Sequence, residues 1–297
     1  MDKVLAKQLL FHGSWLVLPA IAWLLWRWRR ERRYRPVLGV LLLGCGLFAW
    51  ARFIEPQWIR VAHTELPGTG MQVRIALVSD IHLGVYKDRR FLQRLVARLD
   101  ALPVDAVVIA GDLTYEPQRL TLSEAFSPLS ALRVPVYAVL GNHDQQAPGP
   151  DIDAALRTAL RANGVRIIEG MRFTDAGGIR WAGLGDRWAG KDDPRFLREV
   201  PGHLPAIVVA HNPDSAMDLL PGDAAIVLAG HTHGGQIRIP WLYRKVIPSA
   251  HGFDRGEQVA PAAAGPVRVF TTRGVGEVGL PLRLFNPPTI DVLQLRP

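Results

Sequence analysis

The sequence predicts an α/β domain preceded by a pair of apolar helices, and three observations predict it. Short β-branched runs alternate with amphipathic stretches from Val73 onward, two long uncharged runs precede residue 60, and nearly all the excess positive charge lies with those two runs. The first 60 residues carry ten Lys or Arg against three Asp or Glu, a net of +7, so about +1 of the chain's +8 belongs to everything after them. A nearly neutral remainder lacks the broad basic footprint of a nucleic-acid-binding protein, and no nucleic-acid partner is expected. The single cysteine, Cys45, excludes an intramolecular disulfide and a multi-cysteine zinc cluster.

The first run, Leu9 to Trp26, is 18 residues long with His12 as its strongly polar side chain; the second extends from Val37 through Arg52 to Phe53. Crossing the hydrocarbon takes roughly 17 to 25 such residues, so residues 1–62 are expected to form a membrane anchor of two helices, about 9–26 and 37–53. Tryptophans 15, 23, 26, 28, 50 and 58 lie largely towards the ends of the runs, where amphipathic rings favour the lipid interface. A pair of buried soluble helices is the competing reading. Between the runs, Arg27 to Arg35 holds six arginines and one glutamate. The positive-inside rule puts that turn in the cytoplasm and the residues after Phe53 on the other side of the membrane. If the helices instead lie in the interface, the domain stays on the cytoplasmic face. Residues 63–71, rich in Gly, Pro and Thr, read as a linker, and 72–297 as the catalytic domain.

Val73 to Val78, Ala106 to Ala110, Val136 to Leu140, Ile207 to Ala210 and Ala225 to Ala229 read as buried strands; Arg89 to Leu102 and Asp151 to Ala162 have helical spacing. Each of the strands ends in metal-competent residues: Asp80 and His82, Asp112, Asn142 and His143, His211, then His231 and His233. In α/β sheets ligands gather at the carboxyl ends of strands, so these residues are expected at one edge. If the chain stays extended at Asp80-x-His82 and His231-x-His233, the paired side chains share a face.

Two carboxylates, an amide and four imidazoles are too many donors for one ion and suit two adjacent ones. Mixed oxygen and nitrogen donors favour manganese first, with iron, zinc or cobalt as alternatives. Two divalent ions roughly 3.5 to 4 Å apart can hold a hydroxide between them for in-line attack on a phosphoester. A lone buried histidine is usually structural; five such motifs in order at strand ends are not so explained.

The ordered motifs Asp80-x-His82, Gly111-Asp112, Gly141-Asn-His-Asp144, strand-end His211 and Gly230-His-Thr-His233 resemble those of the calcineurin-like metallophosphoesterases, over about Val73 to Leu295. Ala210-His-Asn-Pro-Asp214 and Arg273-Gly-Val-Gly276 are similar to a bacterial membrane-anchored, phosphodiesterase-like branch. The resemblance implies a four-layer α/β/β/α sandwich. It also implies that Asp80, His82 and His233 bind one metal, that Asn142, His211 and His231 bind the other, and that Asp112 bridges them. His143 would be the catalytic group that stabilises the transition state or protonates the leaving oxygen. Many relatives carry a second Asp where this chain has Tyr115, which leaves adjacent Asp144 as the candidate to orient His143. Arg238 and Arg273 are candidate contacts to substrate phosphate, and Trp241 with Tyr243 a candidate lipid-facing lip or, equally, a core corner.

The expected function is hydrolysis of phosphodiester or pyrophosphate bonds in a membrane-associated, lipid-linked phosphoester. The alternatives are a pyrophosphatase of the UDP-2,3-diacylglucosamine type, a phosphomonoesterase or protein phosphatase, and a non-catalytic metal-bound membrane scaffold.

Overall fold

The computed structural model describes residues 3–117, 121–145, 151–199 and 202–297. Two six-stranded sheets face each other. The first runs in the order Arg60–Leu66, Thr289–Leu295, Val73–Val78, Ala106–Ala110, Val136–Val139, Val165–Ile167; the second runs Gly256–Ala262, Gly265–Thr271, Ala224–Ala229, Ala206–Val209, Arg180–Gly183, Met171–Thr174. The five strands expected from β-branched runs lie inside these sheets, and their shared pairings are parallel, so their carboxyl ends point the same way.

Strand periodicity explains the layers. Ile75, Leu77 and Val108 point between the sheets and pack on Trp181, Ile207, Val209 and Leu228. Their neighbours Ala76, Val78, Val107 and Ile109 point outward, under helices Arg89–Asp100 and Asp153–Ala162. Asp88 starts the first of these helices by accepting from the backbone N–H of Phe91. Beyond the second sheet, Val208, Val227 and Val269 are covered by Leu219 and Phe253, and the covering segments at Arg195–Arg198 and Pro213–Asp218 are short 3-10 turns. The result is a four-layer α/β sandwich with one thin outer layer.

Residues expected as linker contribute to the sheet instead. His63 to Leu66 belong to the edge strand Arg60–Leu66, which runs parallel to Thr289–Leu295 from Arg60↔Thr289 to Leu66↔Leu295. The N-terminal helices therefore enter the domain through a strand rather than through a loose tether.

Ahead of that strand, Val4–Arg30 and Arg32–Gln57 are helical stretches of 27 and 26 residues, long and apolar enough to cross a membrane, and they pack on each other as a hairpin. They are not buried core helices: Leu16 is 71% exposed, Val40 70% and Leu43 74%. Uncovered apolar surface of this extent marks a face for a membrane or a protein partner. The helices also grip the domain. The carbonyl of Ala51 accepts from the N–H of Arg283 at 2.9 Å, and Arg52 reaches across the hairpin to Ser14 Oγ at 2.8 Å.

One buried acid sets a pH dependence. Asp291, in the strand Thr289–Leu295, accepts from Thr272 Oγ1 at 2.6 Å and is 5% exposed; burial pushes its carboxyl up to about 6. Because the folded value lies above the unfolded one, this group loses the protein stability as pH rises from about 4 to 6, and the deficit is complete above 6. Asp291→Asn keeps an acceptor for Thr272 without the charge. Its unfolding midpoint should exceed the parent's at pH 8, by at most about 3 kcal/mol of stability, and match it near pH 4. Equal differences at both pH values would sink this assignment.

Candidate metal centre

Every strand-end motif arrives at one edge, but not by the backbone route expected. The first strand stops at Val78, and Asp80 and His82 then both adopt φ of +53°. Asp112 (+51°), His231 (+69°) and His233 (+50°) are also left-handed. The chain is therefore not extended at Asp-x-His or His-x-His. Non-glycine residues are uncommon in this region, at a cost of order 1–3 kcal/mol each, and such strain persists only where the surroundings impose it. Glycines make the crowding feasible. A Cβ on Gly111 would lie 2.4 Å from His211 Nδ1, and one on Gly141 would lie 2.1 Å from Asp112 Oδ1.

The side chains form two buried groups, Asp80 with His82 and His233, and Asp112 with His211 and His231; within each, the donor atoms lie within 4.8 Å of one another. In the first, His82 Nε2 and His233 Nε2 are 3.2 Å apart, and Asp80 Oδ1 is 3.2 Å from the latter. In the second, His211 Nε2 is 3.3 Å from Asp112 Oδ2, 3.1 Å from His231 Nδ1 and 3.1 Å from Asn142 Oδ1. Asp112 Oδ2 is also 3.5 Å from His82 Nε2, so one carboxylate oxygen stands between the groups. His211 Nδ1 donates to the Ala110 carbonyl at 2.8 Å, which leaves Nε2 as the nitrogen facing the cluster.

The donor set fits cations. Asp80 Oδ1 and His231 Nε2 are buried without a hydrogen-bond partner, a costly arrangement unless a positive charge satisfies them. Burial works to raise the Asp80 and Asp112 carboxyls, but the imidazoles around them outweigh it and hold both below the ordinary carboxylate range. Burial pushes His231 and His233 down to about 4 and about 3, leaving neutral imidazoles with lone pairs. It opposes charge on His211 too, yet Asp112 prevails and lifts that ring to about 10, so positive charge is favoured between them.

Residues 73–235, more than half of the chain, match the family of calcineurin-like phosphoesterases. The protein belongs to that family. Among relatives of this phosphoesterase, "Phosphodiesterase YaeI" of Escherichia coli K12 is 27% identical over 89% of this chain and 98% of its own length. "UDP-2,3-diacylglucosamine pyrophosphatase LpxG" of Chlamydia trachomatis is 26% identical over 83% of this chain and 92% of its own. The "Transmembrane protein with metallophosphoesterase domain" of Danio rerio is 30% identical over 88% of this chain and 61% of its own. The phosphoesterase is thus a metal-dependent phosphoester hydrolase, with two donor groups suited to its family's binuclear chemistry.

His143 sits beside the metal-competent groups with its side chain outside both. Its backbone N–H donates to Asp112 Oδ1 at 3.0 Å, and its ring meets those of His82 and Tyr115 edge-on at 5.1 and 5.0 Å. Asp144 is otherwise engaged: its oxygens accept from the N–H groups of Leu113, Thr114 and Gly141 and from Thr114 Oγ1, at 2.8 to 3.1 Å. It braces the loop that carries Asp112. Tyr115 is the aromatic wall against which the His143 ring rests.

A cavity of about 710 Å³ opens over this edge. Its floor includes Asp112, Asn142, His143, His231 and His233; Ile237, Leu242, Val246 and Leu280 form an apolar wall. Arg238 and Arg273 do not line it. Arg238 is committed to Asp254 and to the Gly234 carbonyl, stacked on Tyr243. Lys7 and Trp188 line it instead, Trp188 edge-on to His231 at 4.5 Å. Nothing in the sequence marks Lys7, because its contact with Glu116 spans 109 positions. The expected lip divides: Trp241 is 85% exposed, whereas Tyr243 is buried in the corner.

Proposed function

We propose that this chain is a membrane-anchored, binuclear phosphoesterase that hydrolyses phosphodiester or pyrophosphate bonds in a membrane-associated substrate. The observation that carries this is the pair of donor groups on either side of Asp112 at the floor of a cavity with an apolar wall. Asp80, His82 and His233 would hold one divalent ion, Asn142, His211 and His231 the other, and Asp112 would lie between them; manganese suits the mixed donors, with iron, zinc or cobalt as alternatives. Divalent ions there supply the Lewis acidity that activates water and offsets charge on the phosphoryl oxygens. His143, within reach of that floor but outside both donor groups, would protonate the departing oxygen.

Residues 1–62 serve as the anchor, with the strand from Arg60 already part of the domain, and 72–297 as the catalytic part. The arginine-rich turn between the helices favours the cytoplasmic side, which puts the cavity on the outer face of a bacterial inner membrane. A second reading, a lipid-linked nucleotide-sugar pyrophosphatase at the cytoplasmic face, draws support from the LpxG relative and from the apolar cavity wall.

The full chain in detergent, loaded with manganese, should hydrolyse bis-p-nitrophenyl phosphate at least tenfold faster than p-nitrophenyl phosphate. Chelation should abolish both activities, and readdition of manganese should restore them. A preference for the monoester would replace this reading with a phosphomonoesterase; two bound ions without turnover of any phosphoester would favour a scaffold.

A further inference from the structure

The cavity is not built by the catalytic domain alone. Lys7, on the first N-terminal helix, lines it together with Asp112, Tyr115 and His143, and it is the one lysine or arginine among the described residues that do so. Its ammonium lies 4.3 Å over the Tyr115 ring and pairs with Glu116. That same Tyr115 ring meets His143 and His82 at 5.0 and 5.2 Å, which places Lys7 one aromatic layer from the metal-competent floor.

The helix is fixed in this position along one face. Phe11, one turn after Lys7, stacks on Tyr86 at 5.5 Å with an interplanar angle of 18°. The Arg52 guanidinium covers Phe11 at 4.1 Å and donates to Ser14, a further turn along. Positions 7, 11 and 14 share a helix face: the turns at Lys7 and Phe11 dock on the domain, and the turn at Ser14 is held by Arg52 of the second helix. Its length fits this docking. The 27 residues of Val4–Arg30 extend about 40 Å at roughly 1.5 Å per residue, some 10 Å more than the hydrocarbon thickness. The uncharged run starts at Leu9, so the turn bearing Lys7 stands clear of the lipid.

Resting on the proposed phosphoesterase reading, we propose that Lys7 is a substrate-binding residue that receives a second anionic group, and that the site is built for substrates in which a further phosphate adjoins the scissile one. In such a pyrophosphate, water adds its oxygen to one phosphorus, the P–O–P bond to it breaks, and the other phosphate leaves with the bridging oxygen. An ammonium has three N–H bonds; Glu116, which lines the same cavity, and the Tyr115 face account for part of its environment. The remainder of the substrate would lie along Ile237, Leu242, Val246 and Leu280, which suits an apolar tail. The membrane helix is thus a determinant of specificity as well as an anchor.

The test uses the full chain in phosphatidylglycerol–phosphatidylcholine nanodiscs with manganese. Two substrates are compared: UDP-glucose, with two adjacent phosphates, and bis-p-nitrophenyl phosphate, with one. Loss of a charge-assisted hydrogen bond is expected to raise the KM of Lys7→Gln for UDP-glucose about tenfold. The KM for bis-p-nitrophenyl phosphate should rise less than threefold, and Lys7→Arg should recover most of the loss. Binding of methylenediphosphonate at fixed free manganese, followed by calorimetry, should weaken about tenfold in Lys7→Gln and reads binding even without turnover. An equal KM rise for both substrates, or none for either, overturns the role of Lys7 while the phosphoesterase reading stands. A parent enzyme that binds diphosphonate in a Lys7-dependent way yet hydrolyses nothing overturns that reading and retains the binding site.

Discussion

His143→Ala should slow turnover by about 10² to 10⁴-fold while the protein still binds two metal ions. The expectation follows from where the residue makes its contacts. Its link to Asp112 is through the backbone N–H, which alanine retains, and its ring touches the Tyr115 and His82 rings without joining either donor group. On the proposed role, deleting the imidazole would remove a proton donor while leaving both donor groups in place. The leaving group supplies a sharper test. p-Nitrophenolate is a stable anion and needs little protonation, whereas an alkoxide needs it badly, so the penalty should be at least tenfold larger for an alkyl leaving group. Metal analysis that finds fewer than two ions in the variant, or an equal penalty for both leaving groups, would remove His143 from this role. The matching exchange of Tyr115 for alanine should lower kcat less, since the ring supports His143 and transfers no proton itself.

How far such chemistry could be read beforehand varies with the physics of each segment. The five central strands were legible because a strand buried on both faces has to be continuously apolar, as Ala106 to Ala110 is, and because polar donors follow each one abruptly. The edge strand Arg60–Leu66 was not: exposed on one side, it alternates polar with apolar residues and resembles a linker as far as His63-Thr-Glu. Spacing alone suggests extended Asp-x-His and His-x-His pairs, yet Asp80, His82, His231 and His233 are left-handed, and Asp80 and His82 are packed closely against the distant Gly274 and Gly276. The hairpin Gly256–Ala262 with Gly265–Thr271 was hidden by its alanine, proline and glycine content, since its strand character comes from pairing on Ala224–Ala229. Asp144 shows the same limit for function. Its adjacency to His143 suggested a partnership, whereas on a short helical turn neighbours diverge, and its carboxylate turns back to cap the N–H groups of the Asp112 loop. Lys7 lay furthest from sequence reasoning, because its significance depends wholly on where a docked helix ends.

Arg283→Met should lower the unfolding midpoint by roughly 10 °C or more, although Arg283 touches neither metal-competent group. The guanidinium is fully buried and donates to three backbone carbonyls: Gly276 from Nε and Nη2 at 3.1 and 2.6 Å, Arg273 at 3.1 Å and Asn286 at 3.1 Å. Nearby Glu277 is held between Arg283 at 3.7 Å and the buried ammonium of Lys87 at 3.2 Å. Methionine fills similar volume but leaves these carbonyls unsatisfied and Glu277 with one cation, a loss of about 3–5 kcal/mol by comparison with other broken buried pairs. Lysine should recover little, because one ammonium cannot span carbonyls arranged for a planar fork. The consequence reaches the metal centre from two directions. Gly276 donates to the Asp80 carbonyl, while Asn286 donates from Nδ2 to the His233 carbonyl at 2.6 Å and receives Glu55, at the end of the second N-terminal helix, on its own N–H at 2.5 Å. The N-terminal hairpin, the buried charge network and the Asp80 and His233 loops therefore form one connected unit. Thermal unfolding of the full chain in detergent, with metal content measured alongside, tests this; a midpoint within 3 °C of the parent would show that the network carries no such weight.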